Sequence, residues 1–119
     1  MPHGVGFYPH ASGHRMARHR PADDLLIYCV AGAGEVTYGG QSQPVTAGEL
    51  LLFPAGPAHR YQANPQQPWS IYWVHLGGHE VERYFDEIAG QSQPGIRKVN
   101  VGVHSRLAED FQALMAADT

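Results

Sequence analysis

Apolar and polar residues alternate, or form short apolar runs, from residue 25 to residue 76, and clusters of Gly, Pro and Asn interrupt this pattern at short intervals. The sharpest interruption follows residue 53, where Pro54 and Pro57 lack backbone donors and Gly56 tolerates a positive φ. Short strands at regular spacing predict an antiparallel β-barrel or jelly roll. The predicted strands are 6–8, 25–31, 35–38, 41–46, 50–53, 59–63 and 69–76.

After the Gly77-Gly78 pair the apolar period changes from two to 3.6, which predicts helices. A first helix spans about 79–89, with Gly90 as its stop signal. After a strand at 97–101, a second helix spans about 105–117, and Ser105 can cap its start. The apolar stripes consist of Val81, Tyr84, Phe85 and Ile88 in the first helix, and Leu107, Phe111, Leu114 and Met115 in the second. The predicted fold class is mainly β, a barrel followed by two C-terminal α-helices.

The length of 119 residues favours a single domain, which we divide at residue 14. Residues 1–14 are rich in Gly, Pro and His and show no clear period, so we expect an N-terminal arm. Residues 15–119 form the barrel with its trailing helices. The second helix reaches the end of the sequence without a clear stop signal, so we expect the chain to be part of a longer protein.

Charge and cysteine content exclude several classes of function. The net charge is −3 and the few basic residues are scattered, which argues against direct nucleic-acid binding by this segment. The single cysteine, Cys29, lies in an apolar run and cannot form a disulfide within the chain, which fits a reducing compartment. We find neither a signal peptide nor an apolar run approaching the ~18 residues of a membrane span, and we expect a cytoplasmic protein without membrane contact.

One stretch of the chain resembles the second motif of the cupin superfamily, in which a Gly is followed by Pro-x-Gly, a His and an Asn. The matching residues are Gly48, Pro54, Gly56, His59 and Asn64, with one extra residue before the Asn. With Arg20-Pro21 and the aromatic strand 69–76 added, the chain resembles the N-terminal sensing domain of AraC-type transcription regulators. The resemblance covers roughly residues 15–118 and implies a cupin-like antiparallel barrel.

The resemblance also implies a ligand site inside the barrel. Arg20 matches the pocket arginine of arabinose-responsive members, Tyr61 matches their pocket tyrosine, and Trp73 matches the aromatic platform for a sugar ring. Ile71 stands where those members have a polar His, which puts arabinose itself in doubt. His59 is interpreted as a structural or pocket-lining residue. The alternatives are a solvated surface charge for Arg20 and a buried core position for Trp73.

Metal chemistry is not expected, because the first motif of metal cupins is incomplete. Metal cupins resemble one another in a first motif of His-x-His followed by Glu. This chain has His19-Arg20-Pro21 and Leu25 at the matching positions. His59 alone matches the second-motif ligand, and His75 could add a donor only by an unusual arrangement. A divalent site usually needs three or four protein donors, so we predict no metal, no cofactor and no catalytic residue.

The resemblance implies a regulatory domain that senses a small-molecule effector and is not an enzyme. We expect this effector to be a sugar or sugar derivative. We expect homodimers through the C-terminal helices, and contact with DNA only through a C-terminal domain that this chain does not contain. The alternative is a stand-alone small cupin enzyme, either a sugar isomerase or a metal-dependent dioxygenase. A binding module without an attached regulator is a third possibility.

Overall fold

The computed structural model describes residues 2–18, 23–38, 40–54, 56, 58–76, 97–104 and 106–117. Within these residues the chain forms strands and one C-terminal helix, in an order close to the one that the apolar pattern predicts. The strands are β1 (Pro2–Tyr8), β2 (Arg15–Arg18), β3 (Asp24–Ala31), β4 (Ala33–Tyr38), β5 (Gln41–Thr46), β6 (Glu49–Phe53), β7 (His59–Ala63), β8 (Ser70–Leu76) and β9 (Arg97–Asn100), and the helix is α1 (Leu107–Ala117).

The strands form two antiparallel sheets. The five-stranded sheet has the order β1-β8-β3-β6-β9, and the four-stranded sheet has the order β2-β7-β4-β5. Their inner faces share one apolar cluster, to which β3, β6 and β8 contribute from one sheet and β4, β5 and β7 from the other. The architecture is therefore mainly β and cupin-like, as predicted.

A second apolar cluster lies on the outer face of the five-stranded sheet, where α1 packs. Phe111 stacks on Tyr28 and Tyr72, with ring centroids 6.4 and 5.4 Å apart. Because the sheet is covered on both faces, β6 is apolar at consecutive positions, and all four residues from Leu50 to Phe53 are buried. Leu107 and Phe111 of the apolar stripe predicted for the second helix are therefore buried within this chain, whereas Leu114 and Met115 are half-buried.

The two ends of the chain differ in part from the prediction made from the sequence. The N-terminal strand is longer than the predicted 6–8, because residues 2–8 pair antiparallel with β8 and form an edge of the five-stranded sheet. Of the two predicted helices, only the second is seen, as α1; the helix at 79–89 and the cap at Ser105 lie outside the described residues. No helix in the described ranges is long and apolar enough to cross a membrane.

Candidate functional site

The interior of the barrel is lined by side chains that alternation directs inward from both sheets. His59 and Tyr61 are buried on β7, while Arg60 and Gln62 between and beyond them are exposed. On β8, Ile71 is fully buried in the core between the sheets. Inward side chains of β2 follow from its register, which places Met16 opposite Tyr61 and Arg18 opposite His59. Cross-strand partners lie on the same face of a sheet.

One end of the interior is closed by Trp69, which is fully buried. Its indole Nε1 donates a hydrogen bond to Nδ1 of His14 over 3.1 Å, so this His carries its proton on Nε2 when neutral. Gly34 allows the close approach, because a Cβ at that position would lie 2.2 Å from Cε3 of Trp69. A ligand would therefore not enter from this end.

An aromatic wall is formed by Trp73, which is half-buried, and Tyr8, which is 43 % exposed. Their rings are stacked, with centroids 5.7 Å apart. Gly6 on β1 lies opposite Trp73, and a Cβ there would stand 2.6 Å from Cζ2 of the indole. Trp73 Nε1 is buried and has no hydrogen-bond partner among the described residues. A buried donor without an acceptor is costly, and a bound molecule could supply the acceptor.

The other end of the interior is polar. Arg18 Nη2 lies 2.5 Å from Oδ1 of Asp23, and Nδ1 of His75 lies 3.5 Å from the same oxygen. The ring of His75 is 5.4 Å from that of Trp73, which joins this charged cluster to the aromatic wall. Arg18 Nη1 is buried and finds no acceptor within the described part of the chain. Two buried donors, one in the aromatic wall and one in the charged cluster, therefore lack an acceptor among the described residues.

His59 occupies an aromatic environment. It is 2 % exposed, and its ring lies 4.6 Å from Phe53 and 6.1 Å from Tyr61 between centroids. Tyr38 stacks nearly parallel to it at 6.5 Å. In this setting the His59 ring packs against aromatic side chains of the interior.

Burial favours the neutral forms of Tyr61, His14 and Cys29. It raises the pKa of the Tyr61 phenol to about 12, although the nearby positive charge of Arg18 acts in the opposite direction. It lowers the pKa of His14 and raises that of the Cys29 thiol to about 11. At neutral pH, Tyr61 is therefore a hydroxyl that can donate or accept a hydrogen bond.

The candidate site residues predicted from the sequence lie in different surroundings in the structure. Tyr61, Trp73, His59 and Ile71 contribute to one interior, although Ile71 belongs to its packed core. Arg20 lies outside the described residues. Sequence reasoning considered His75 only as a possible metal donor and missed four further side chains, because their positions depend on strand pairing that no local signal encodes. They are Tyr8, His14, Arg18 and Asp23.

The described residues contain no group of three or more His, Cys, Asp or Glu side chains that could hold a metal ion. Asp23 and His75 form a pair, in which Arg18 already occupies the carboxylate. Such a pair offers fewer donors than a divalent site usually needs.

Comparison with known proteins gives the family. Residues 2–117 match the model of the AraC-like ligand binding domain. The MmsAB operon regulatory protein of Pseudomonas aeruginosa is 36% identical over 118 residues, which are 96% of this chain and 38% of that protein. The Lactose operon transcription activator of Staphylococcus xylosus is 28% identical over 83 residues, which are 63% of this chain and 30% of that protein.

Solved structures agree with the fold. Apo ToxT from Vibrio cholerae superposes with a TM-score of 0.58 at 12% identity, covering 92% of this chain and 51% of the other. A cupin protein from Bacteroides fragilis superposes with a TM-score of 0.53 at 14% identity, covering 64% of each chain. The chain spans well under half of the length of each curated relative named above. From the family model and the shared fold together, the chain belongs to the AraC-like ligand binding domain family.

Proposed function

We propose that this chain is the effector-sensing domain of an AraC-type transcription regulator, and that the effector binds inside the barrel against Trp73. The observation that carries the proposal is the pair of buried donors, Trp73 Nε1 and Arg18 Nη1, that have no acceptor among the described residues. Unsatisfied buried donors are rare in folded proteins, and functional sites are one of the places where they occur.

The lining of the interior suggests the chemical class of the effector. Trp73 and Tyr8 present aromatic faces, which suit the C–H face of a sugar ring. Arg18 and the neutral hydroxyl of Tyr61 can bond hydroxyl or carbonyl oxygens. We therefore propose a sugar or sugar derivative, neutral or anionic. The name of the Staphylococcus xylosus relative refers to the lactose operon, which supports a carbohydrate.

Regulation requires that the effector favour one arrangement of the protein over another. We propose that the DNA contact belongs to a part of the protein outside this chain, since the two curated relatives named above are much longer.

We also propose homodimerisation through the C-terminal helices. Leu107 and Phe111 of α1 are already buried against the five-stranded sheet, so a partner would meet Leu114, Met115 and the solvent face of this helix.

A thermal-shift screen of the 119-residue chain against neutral sugars and sugar acids would identify the effector. Titration calorimetry on Trp73→Phe and Arg18→Gln then tests the site. The first substitution removes the indole donor, the second removes the guanidinium with its charge, and both keep much of the side-chain volume. We expect about tenfold weaker binding for each variant, the scale of one lost hydrogen bond.

The matched control is Arg106→Gln, which changes an exposed arginine beside α1. It should bind the effector as the parent does. Unchanged affinity in both Trp73→Phe and Arg18→Gln would place the effector elsewhere and remove the basis of the proposal.

A further inference from the structure

The outer face of the four-stranded sheet carries a groove whose polar lining differs from the aromatic barrel interior. It has a volume of about 450 Å³, within the size range of small-molecule sites. Arg60 and Gln62 of β7 line it, and both point away from the buried His59 and Tyr61 on the same strand. The other residues of its lining are Arg15, Met16 and Ala17 of β2, Glu35 and Thr37 of β4, and Tyr61 of β7.

Strand register arranges these residues in two rows across the sheet. Arg15, Gln62 and Glu35 form one row, because the first pairs with the second in β2–β7 and the second pairs with the third in β7–β4. Ala17, Arg60 and Thr37 form the next row by the same pairing. Arg15 and Arg60 are therefore diagonal neighbours, a relationship that places Cβ atoms roughly 7–8 Å apart or somewhat closer.

Two like charges at this spacing repel each other. Glu35 is a diagonal neighbour of Arg60 on the opposite side, so the groove carries two positive charges and one negative charge. No described residue forms an ion pair with Arg15, Arg60 or Glu35. Ala17, directly across from Arg60, is too short to cover its guanidinium. An anion between the two arginines would relieve the repulsion and accept hydrogen bonds from both forks.

The opposite wall of the groove has a different chemistry. Glu35 is exposed there and can accept a hydrogen bond, whereas Thr37 is already bonded to Ser42, with the two hydroxyl oxygens 2.8 Å apart. Strands in a sheet lie about 4.8 Å apart, so the distance from β2 to β4 is close to 10 Å. A small compound can therefore span the groove with a carboxylate at the arginines and a donor at Glu35.

We propose that this groove is a second binding site, for a small carboxylate compound that also carries a hydroxyl or ammonium group. Arg15 and Arg60 bind the carboxylate, and Glu35 accepts the hydrogen bond from the donor group. The site lies on the outer face of the four-stranded sheet, and Tyr61 is the residue that its lining shares with the effector site proposed above.

The test uses NMR titration of the isotope-labelled 119-residue chain with L-malate and with succinate, which differ by one hydroxyl. Ionic strength is held constant with chloride. We expect saturable shifts confined to amides of β2, β4 and β7, with L-malate binding more tightly than succinate. The indole resonance of Trp73, which does not line the groove, should not move.

Three variants make the result specific. Arg15→Gln and Arg60→Gln should each weaken L-malate about tenfold, the scale of a lost charge-assisted hydrogen bond. Glu35→Ala should remove the preference for L-malate over succinate. Arg106→Gln, an exposed arginine elsewhere, should leave both affinities unchanged. Three results would each overturn the proposal: shifts that do not saturate, an equal loss of L-malate affinity in Arg106→Gln, or movement of the Trp73 indole resonance.

Discussion

Gly6 on β1 lies directly across from Trp73 on β8, and the indole occupies the space that a side chain at residue 6 would need. A Cβ on Gly6 would lie 2.6 to 2.9 Å from three atoms of the indole. The N-terminal strand thus does more than extend the sheet. Its missing side chain determines where the aromatic wall of the barrel interior stands.

Gly6→Ala should therefore displace Trp73. We expect a loss of about 1–3 kcal/mol in the free energy of unfolding, typical of an overpacked site, together with altered Trp fluorescence. Gly4→Ala is the matched control, because its Cβ would lie 3.4 Å from the same ring, an ordinary contact. Chemical denaturation of both variants measures the difference. Equal effects would mean that the strand, and not the indole, responds to the added methyl group.

Alkaline pH should destabilise the fold through Tyr61. Its pKa is raised by burial to about 12, above the ordinary value of 10.0, so the folded state holds the proton more tightly than the unfolded state. Stability is then undiminished below pH 10 and falls as pH rises from 10 to about 12. The total loss is about 2–3 kcal/mol at 1.36 kcal/mol per pKa unit.

Urea denaturation at several pH values tests this dependence, with Tyr61→Phe as the comparison. The variant should lose the decline between pH 10 and 12 that Tyr61 causes. Cys29 contributes its own decline at slightly lower pH, since burial raises its pKa from 9.0 to about 11. An unaltered profile in Tyr61→Phe would assign the alkaline transition to other groups.

Acidic pH should weaken the closed end of the barrel through His14. Burial lowers its pKa below 6.5, and its Nδ1 accepts the hydrogen bond of Trp69 only when that nitrogen is unprotonated. The unfolded chain therefore binds the proton first, and stability falls as pH drops below about 6.5. His14→Asn offers an acceptor that does not titrate. Thermal denaturation at pH values on either side of that pKa should show a smaller loss of stability at acidic pH in the variant. An identical loss would show that His14 is not its cause.

Phe111→Ala should detach α1 from the five-stranded sheet. Its ring is 3 % exposed and stacks on Tyr28 and Tyr72, so truncation should cost about 3–5 kcal/mol in the free energy of unfolding. Leu114→Ala, on the half-buried side of the same helix, should cost clearly less. Circular dichroism with urea denaturation measures both. Equal small losses would show that α1 adds little to the stability of the barrel.

Local patterns determined most of the secondary structure. The strands at 41–46 and 59–63 match their predicted bounds, because alternation and flanking turn residues act over a few neighbouring positions. The helix at 107–117 lies within two residues of its prediction for the same reason. The family resemblance likewise depended on local spacing, of Gly48, Pro54, Gly56 and His59.

Only the tertiary structure decided which side chains meet in the interior. Arg18 lies opposite His59 because β2 pairs with β7 in one particular register, and a slip by one residue would turn its side chain outward. Asp23 and His75 join it from separate segments of the chain. Pairing between distant strands is selected by the burial of whole faces, an energy summed over the sheet, and no single stretch of sequence contains it.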